Sequence, residues 1–358
     1  MVLLTLLIGG GLWYLENVDT MAVVGIQTTL GSGSCRGTGF FVAKGVVATC
    51  CHVVFPQSPS DKIKDLLILK WTGDTIPVIG ILGMDPRNDI CLLSVADTTT
   101  APMAMGNQNQ ARLAAAVVPY PWQKSGVMRP LRLEFLREET WSDGVRNLVV
   151  SAGPVPGYSG SPLLSDPIYG PNRVVVGMIT ATGMGGSAFV VEPEPINTLL
   201  AQSLGMPSVP HQEAFRAYRL DPAGLREMAR CSWAMGNLQE AENCYILSLQ
   251  RDPLNPTTHE EYASFLWTLA RERGDQALFE MAEEHYRQAM QLRNDPRLHE
   301  LIAFLYLEMD RYTEAGEELS RAAYLYEERG QEAKADSLRF RMKVVSSWGQ
   351  LGKEGQLK

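Results

Sequence analysis

The stretch Gly157-Tyr158-Ser159-Gly160-Ser161-Pro162 places one serine between two glycines. The glycines leave room for a carbonyl group to approach the backbone N–H groups of the turn. A serine hydroxyl becomes an effective nucleophile only when a base removes its proton and hydrogen-bond donors stabilise the oxyanion that forms. The stretch therefore predicts Ser159 as a nucleophile, provided that the chain also supplies a base and an acid that orients it.

The base is predicted to be His52, because it is the only histidine among residues 21–205. It stands where an apolar strand gives way to a turn. A carboxylate that accepts a hydrogen bond from the imidazole would hold the correct tautomer. Asp89 is the first choice, since it immediately precedes an apolar strand. Asp85 is the alternative, although its position directly before a proline is typical of a turn residue.

Short apolar and β-branched runs separated by turn residues fill residues 21–205. No long helical period interrupts them, so they predict an antiparallel sandwich or barrel, followed by a short helix over residues 194–204. The predicted strands are residues 23–27, 39–42, 46–49, 66–71, 76–82, 90–95, 115–120, 131–135, 148–152, 162–164, 174–180 and 188–191.

Four motifs follow one another in this region: Gly37-Thr38-Gly39-Phe40-Phe41, Thr49-Cys50-Cys51-His52-Val53, Asn88-Asp89-Ile90-Cys91-Leu92-Leu93 and residues 157–162. Together they resemble the chymotrypsin-fold, trypsin-like serine proteases, and within them the HtrA-type branch. The resemblance implies two six-strand β-barrels with the active site in the cleft between them. It also implies an endopeptidase with His52 as base, Asp89 as its orienting acid and Ser159 as nucleophile.

In such a protease, the backbone N–H groups of Gly157 and Ser159 would form the oxyanion hole, and neither a cofactor nor a metal is required. The sequence departs from the family at Tyr158, where Asn or Asp is usual, and at Ser161, where Gly is common. The side chain of Tyr158 is expected to point into its domain. Because Tyr158 affects how the oxyanion loop is held, a second hypothesis stays open, in which an inactive protease fold serves as a protein-binding scaffold.

The resemblance also indicates the substrate-binding residues. Gly153 stands where trypsin-like enzymes that cleave after Lys or Arg carry an acidic residue, so small or medium apolar residues are expected before the scissile bond. Thr180, Ala181 and Thr182 would form another wall, and an edge on which an extended peptide substrate adds as a strand.

After a proline-containing linker at residues 206–211, the apolar period changes from two to about 3.6 residues and predicts helices. Small and aromatic residues recur, and Ala282 and Ala315 are 315 − 282 = 33 residues apart. This pattern resembles tetratricopeptide repeats, which have about 34 residues. Residues 212–348 are predicted to form three such repeats with an insertion around residues 271–278 and a final capping helix. A protein or peptide partner is therefore expected.

The helical region also holds His259, His285 and His299, which lack metal-ligand spacing and are predicted as surface polar residues. The six cysteines show no C-x-x-C pair, and free, mostly buried thiols are the favoured interpretation. A disulfide from Cys35 to Cys50 or Cys51 stays open for an exported protein.

Residues 1–20 contain an apolar run, shorter than the roughly 20 residues that span a bilayer. They predict a membrane anchor or signal-like segment, with a packed structural segment as the alternative. The expected location is the cell envelope or periplasm, and the cytoplasm is the alternative. Residues 349–358 are predicted to be a tail. The net charge of -8 argues against nucleic acid as a partner.

Overall fold

The computed structural model describes residues 22–31, 33–55, 58, 61–107, 115–117, 131–140, 144–151, 157–165, 174–183 and 187–355. The chain divides into two compact units, the first ending at Cys244 and the second beginning at Tyr245. The first unit holds the β-rich region and extends well past residue 205. The predicted anchor at residues 1–20 lies outside the described residues, so anchoring and cell-envelope location stay predictions.

A closed barrel of six antiparallel strands forms the first part of the chain, in the order β1-β2-β3-β6-β5-β4. Strand β1 pairs with both β2 and β4, which closes the barrel. The strands are rich in β-branched and apolar residues, and every residue of β3 is buried. They are β1 (Val23–Leu30), β2 (Ser34–Ala43), β3 (Val46–Cys50), β4 (Ile63–Leu69), β5 (Thr75–Asp85) and β6 (Ile90–Val95).

Seven described strands form a second sheet in the order β8-β7-β11-β12-β13-β10-β9. They are β7 (Ala115–Val117), β8 (Leu131–Leu133), β9 (Phe135–Thr140), β10 (Arg146–Ser151), β11 (Pro162–Ser165), β12 (Val175–Gly183) and β13 (Ser187–Val191). The two outer strands of this order, β8 and β9, are separated in the chain by Glu134 alone. Ser151 N–H donates to Glu134 O, and Glu134 N–H donates to Ser151 Oγ, both at 2.8 Å. The strand predicted over residues 131–135 is thus divided by a bend at Glu134, and the sheet curves back on itself there.

Ten helices occur among the described residues, and the predicted change from strands to helices is confirmed. They are α1 (Cys51–Val54), α2 (Pro193–Ser203), α3 (His211–Tyr218), α4 (Pro222–Ala234), α5 (Leu238–Arg251), α6 (Pro256–Arg273), α7 (Gln276–Leu292), α8 (Pro296–Glu308), α9 (Tyr312–Glu328) and α10 (Glu332–Gly355). Helix α2 is the short helix predicted over residues 194–204.

Helix α3 and the segment before it pack on the barrel within the first unit. Val209, which lies in the predicted linker, exchanges two backbone hydrogen bonds of 2.8 Å with Ile81 of β5. Phe55, directly after α1, stacks on Phe215 and Tyr218 of α3, with ring centroids 6.1 and 4.7 Å apart. These aromatic contacts bury a large apolar area and bind the start of the helical region to the barrel.

In the second unit, α6 packs on α7, α8 on α9 and α9 on α10. Four of the recurrent small residues in these helices are fully buried: Ala263, Ala282, Ala303 and Ala315. Tyr286 is fully buried as well. Small side chains let paired helices approach closely, which explains their recurrence in the sequence.

The prediction that the histidines of this unit are surface residues was wrong for two of them. His259 and His299 are only 6% and 7% exposed. Their burial is accommodated by hydrogen bonds: His299 Nδ1 lies 2.6 Å from Glu318, and His259 Nδ1 lies 2.9 Å from Nδ1 of His285. Helix periodicity alone does not show that a polar partner on the next helix permits burial.

All six cysteines are free thiols, and four of them are buried: Cys50, Cys51, Cys91 and Cys244. Among the described residues, no helix combines the length and the apolar character needed to cross a membrane.

The Phe55 stack yields a stability prediction. Phe55 is 1% exposed, so Phe55→Ala should lower the free energy of unfolding by about 3–5 kcal/mol, the usual cost of deleting a buried ring. Phe340→Ala on α10 is the control, because that ring is 69% exposed and its loss should cost less than about 0.5 kcal/mol. Urea denaturation of both variants would measure this, and equal losses would contradict the proposed packing.

Candidate active site

His52 and Asp89 are brought together by the pairing of β3 with β6. Cys50 lies opposite Ile90 in this register, so the residues that follow β3 and precede β6 are neighbours. Asp89 Oδ2 lies 2.6 Å from His52 Nδ1, and Oδ1 accepts the backbone N–H of His52 at 3.1 Å. A carboxylate can only accept, so Nδ1 carries the proton and the lone pair of Nε2 is free to act as a base.

The turn before β6 holds Asp89 in place. Asp89 has a left-handed backbone with φ of 55°, which Asp adopts more readily than most residues. The alternative acid, Asp85, uses its side chain differently: it accepts the N–H groups of Arg87 and Asn88 at 3.1 and 3.2 Å. Asp85 therefore stabilises the turn, whereas Asp89 contacts the imidazole.

Burial and the neighbouring negative charge shift the pKa of His52 in opposite directions. Burial lowers the pKa of His52, but the negative charge of Asp89 and its hydrogen bond raise it by more, so the pKa lies above its ordinary value. Burial raises the pKa of Asp89, and the charge and hydrogen bonds of His52 oppose that effect. The pair is thus suited to accept a proton on His52 and to stabilise the imidazolium that results.

The turn that carries Ser159 is bound to the first barrel through Thr38 of β2. Thr38 N–H donates to Ser159 O at 2.8 Å, and Thr38 Oγ1 donates to Gly157 O at 2.7 Å. Thr49 Oγ1, three residues before His52, donates to Thr38 O at 2.7 Å. One buried threonine thus connects the serine turn with the strand that leads to the histidine.

A second connection runs through Ile179 of β12. Its carbonyl oxygen accepts the N–H of Gly160 at 2.8 Å and the Sγ–H of Cys50 at 3.3 Å. Because Cys50 is two residues from His52 and Gly160 directly follows Ser159, this carbonyl also fixes the two segments relative to each other.

Gly160 is required by the geometry of the turn. Its φ is +84°, and a Cβ built on it would lie 1.9 Å from Thr38 O. Gly157 has a φ of 93°, which also favours glycine. The two glycines that flank the serine in the sequence are therefore explained by backbone conformation, and the second also by the close approach of β2.

Tyr158 packs against the apolar core of the second sheet, as expected from the sequence. It is partly buried against a cluster that includes Leu163, Val176 and Ile179. The Tyr158 side chain, which differs from the Asn or Asp usual in the resembled proteases, therefore fills space in the core of this sheet.

The predicted oxyanion donors, the N–H groups of Gly157 and Ser159, belong to this turn. The N–H groups of Gly160 and Ser161 donate to Ile179 O and to Tyr158 O. Within the described residues, Ser159 N–H makes no hydrogen bond, and neither does Ser159 Oγ with His52. Catalytic hydrogen bonds are often long in the absence of substrate.

The predicted substrate-binding residues are placed only in part. Gly153 lies outside the described residues. Ala181 and Thr182 belong to β12 and pair with Phe189 and Ala188 of β13. On the other side of β12, strand β11 pairs only with the segment from Val175 to Met178, so the end of β12 has one edge without a described partner strand. The buried Thr180 side chain donates to Phe189 O at 3.5 Å.

Cys50, His52 and Asp89 present ligand atoms within 4.8 Å of one another. The site fits a hydrogen-bonded pair better than a metal, because His52 and Asp89 already bond each other and the Cys50 thiol donates to Ile179 O. Burial raises the pKa of Cys50 well above its usual value, which disfavours the thiolate that a metal needs.

Sequence reasoning missed two charged residues near this pair, Glu227 and Arg230 of α4, because that helix was assigned to a separate repeat domain. They line a small cavity with Asp89. The available signal was the helical spacing of Glu227 with Gly224 and Cys231, which places a carboxylate on a face with small residues.

A sequence model of the trypsin-like peptidase domain matches residues 37–177. This region is therefore similar to a trypsin-like peptidase domain. It contains His52, Asp89 and Ser159, and it includes the whole of the pairing between β3 and β6 described above. The match supports serine protease chemistry for this part of the chain.

The solved structures that match part of this chain include proteases. The active form of the Rv3671c protease from M. tuberculosis is 17% identical over 55% of this chain and 87% of that chain, with a TM-score of 0.45. Its inactive form is 18% identical over 53% and 93%, with a TM-score of 0.42. The HtrA-type protease AlgW with tripeptide is 17% identical over 55% and 65%, with a TM-score of 0.45. No curated protein matches the sequence.

The close approach at Gly160 gives a testable consequence. Gly160→Ala should destabilise the protein by about 2–5 kcal/mol, from about 1–2 kcal/mol for a left-handed backbone and about 1–3 kcal/mol for the overlap with Thr38 O. Gly73→Ala is the matched control, because Gly73 has φ +90° with no atom within 4 Å of the added Cβ. The Gly73→Ala variant should lose only the stability that corresponds to the left-handed backbone, about 1–2 kcal/mol. Urea titrations that give equal losses would show that the serine turn is not held against β2.

Proposed function

We propose that the chain is a serine endopeptidase that hydrolyses peptide bonds of protein substrates. The observation that carries the proposal is the 2.6 Å hydrogen bond between His52 Nδ1 and Asp89 Oδ2, in a domain whose serine turn is bound to the same barrel through Thr38. The trypsin-like peptidase match over residues 37–177 supports it.

In this mechanism, Ser159 Oγ attacks the carbonyl carbon of the scissile bond while His52 Nε2 takes the hydroxyl proton. The tetrahedral oxyanion is stabilised by the N–H groups of Gly157 and Ser159. When the C–N bond breaks, His52 gives the proton to the leaving amine, and Ser159 carries the acyl group. Water then attacks the acyl-enzyme with His52 again as base, which releases the carboxylic acid and restores the serine.

The substrate is proposed to bind as an extended peptide along the free edge of β12. Backbone groups at the end of this strand lack a described partner on one side, which suits the addition of a strand. Small or medium apolar residues before the scissile bond are our specificity hypothesis, since Gly153 replaces the acidic residue of enzymes that cleave after Lys or Arg.

We propose that the helices from α4 onward are tetratricopeptide-type repeats that recruit a substrate or partner protein. Helices α4, α6 and α8 each begin with an Asp-Pro or Asn-Pro pair whose acidic or amide side chain caps the first turn. The first two of these prolines are 256 − 222 = 34 residues apart and the next two are 296 − 256 = 40 apart. The first spacing matches the repeat, and the second implies an insertion of 40 − 34 = 6 residues.

A fluorophosphonate probe, which reacts with activated serines, tests the catalytic proposal. The wild type should be labelled, Ser159→Ala should not, and His52→Ala should lose labelling by at least about 100-fold, as expected for a general base. Ser161→Ala is the control within the same turn. Its buried hydroxyl has no hydrogen-bond partner in the part of the chain that the structure describes, so its removal should leave labelling intact. An unlabelled wild type would favour the alternative, a protease fold that acts as a protein-binding scaffold.

Recruitment by the repeats is tested by comparing the full chain with a chain that ends at residue 252, directly after α5. Hydrolysis of short peptides should change less than about twofold, because the first unit remains. In a cell lysate, some proteins cleaved by the full chain should no longer be cleaved. Identical sets of cleaved proteins would contradict recruitment.

A further inference from the structure

Helix α4 lies beside the His52–Asp89 pair, although it lies outside the matched region 37–177. Helix α1, which carries His52, contacts α4. Tyr218 at the end of α3 stacks on Phe55, the residue after α1, and Gly224 of α4 lies against the Tyr218 backbone, where a Cβ would be 2.2 Å from Tyr218 O. The first unit therefore packs helical residues directly against the catalytic pair.

Glu227 is a residue of α4 that lines a small cavity together with Asp89. It is only 7% exposed, and carboxylates are seldom buried so fully without a partner. It forms an ion pair with Arg230 one turn later, and Cys231 Sγ lies 3.6 Å from its Oε1. The Arg230 side chain is 27% exposed, whereas that of Glu227 is 9% exposed. Solvent therefore screens the arginine charge more than the carboxylate charge.

Glu227 and Asp89 line the same small cavity, of about 10 Å³, which is close to the space that one water molecule requires. Asn147 and Thr180 line it as well. Nδ2 of Asn147 is buried and has no hydrogen-bond partner among the described residues. Such a site connects α4 to the catalytic aspartate through polar groups in a poorly solvated space, where charges interact strongly.

We propose that Glu227 is a positioning residue of the catalytic centre, whose buried carboxylate acts with Asp89 to stabilise the His52 imidazolium. The inference rests on the proposed protease function. When His52 Nε2 takes the proton of Ser159 Oγ, both carboxylates stay ionised and supply negative charge near the ring. Helix α4 thereby completes the active site of the peptidase domain from outside that domain.

The electrostatic direction follows from the charges around the pair. Glu227 raises the pKa of His52 in the same sense as Asp89, and Arg230 lowers it. Removing the Glu227 charge should therefore lower the pKa of His52. The titratable and charged groups near the pair are Cys50, Cys51, Arg87, Asp89, Tyr218, Arg226, Glu227, Arg230 and Cys231.

The test is an NMR titration of His52 in the full-length protein, with its signal assigned from its loss in His52→Gln. Glu227→Gln keeps the shape of the side chain and removes its charge, so the His52 midpoint should move to lower pH. Glu213→Gln is the matched control, because it removes the same charge from an exposed position on α3, and its midpoint should equal that of the wild type. Arg230→Gln should move the midpoint in the opposite direction.

Fluorophosphonate labelling against pH gives the second readout. In Glu227→Gln, the acid limb of the curve of labelling rate against pH should move to lower pH, as the NMR midpoint does. The labelling rate on the plateau of that curve should fall, because the imidazolium is less stabilised. A structural defect alone would lower the plateau without moving the limb, and that result overturns the inference.

The two proposals fail in different ways. A labelled wild type with the same His52 midpoint in Glu227→Gln overturns the role of Glu227 and leaves the protease function standing. A wild type that is never labelled overturns the protease function, and with it the catalytic role of Glu227, whatever the NMR midpoint shows.

Discussion

The candidate active site depends on the hydrogen bonds of Thr38. Its N–H and hydroxyl bind the carbonyl groups of Ser159 and Gly157, while its own carbonyl accepts from Thr49. These three bonds join the serine turn to the strands of the first barrel. The side chains of Thr38 and Thr49 are fully buried, and a buried polar group left unpaired would cost about 1–3 kcal/mol. Gly160 is needed because no Cβ fits beneath the Thr38 carbonyl. The position of the proposed nucleophile is therefore set by backbone contacts with the barrel that also carries the base.

The same barrel also positions His52, the proposed base. Pairing of β3 with β6 places Asp89 beside His52, and the turn before β6 holds Asp89 in a left-handed conformation that only a few residue types tolerate. Around this pair the chain builds a second layer from α3 and α4, with Tyr218 stacked on Phe55 and Glu227 in the cavity behind Asp89. Helices that follow the β-rich region thus contribute to the environment of His52, and the compact unit ends at Cys244.

Much of the fold was predictable because strands and helices impose different apolar periods. The strands of both sheets, helix α2 and the later helices follow from those periods, and the buried alanines follow from close helix packing. Other features were not predictable, since they depend on contacts distant in sequence. The bend at Glu134 is one example, because it depends on Ser151 of a neighbouring strand. The burial of His299 is another, because it depends on Glu318 of the next helix.

For the site, the sequence by itself determined the residue types and their order: one histidine, an aspartate before an apolar strand and a glycine-flanked serine. Those assignments were available because each residue is marked by its immediate neighbours. Only the tertiary structure decided between Asp89 and Asp85, because one carboxylate faces the imidazole and the other caps its own turn. It alone placed Glu227 beside the pair, 227 − 89 = 138 residues from Asp89, since a charge on a helix acquires an electrostatic role only from what the fold packs against it.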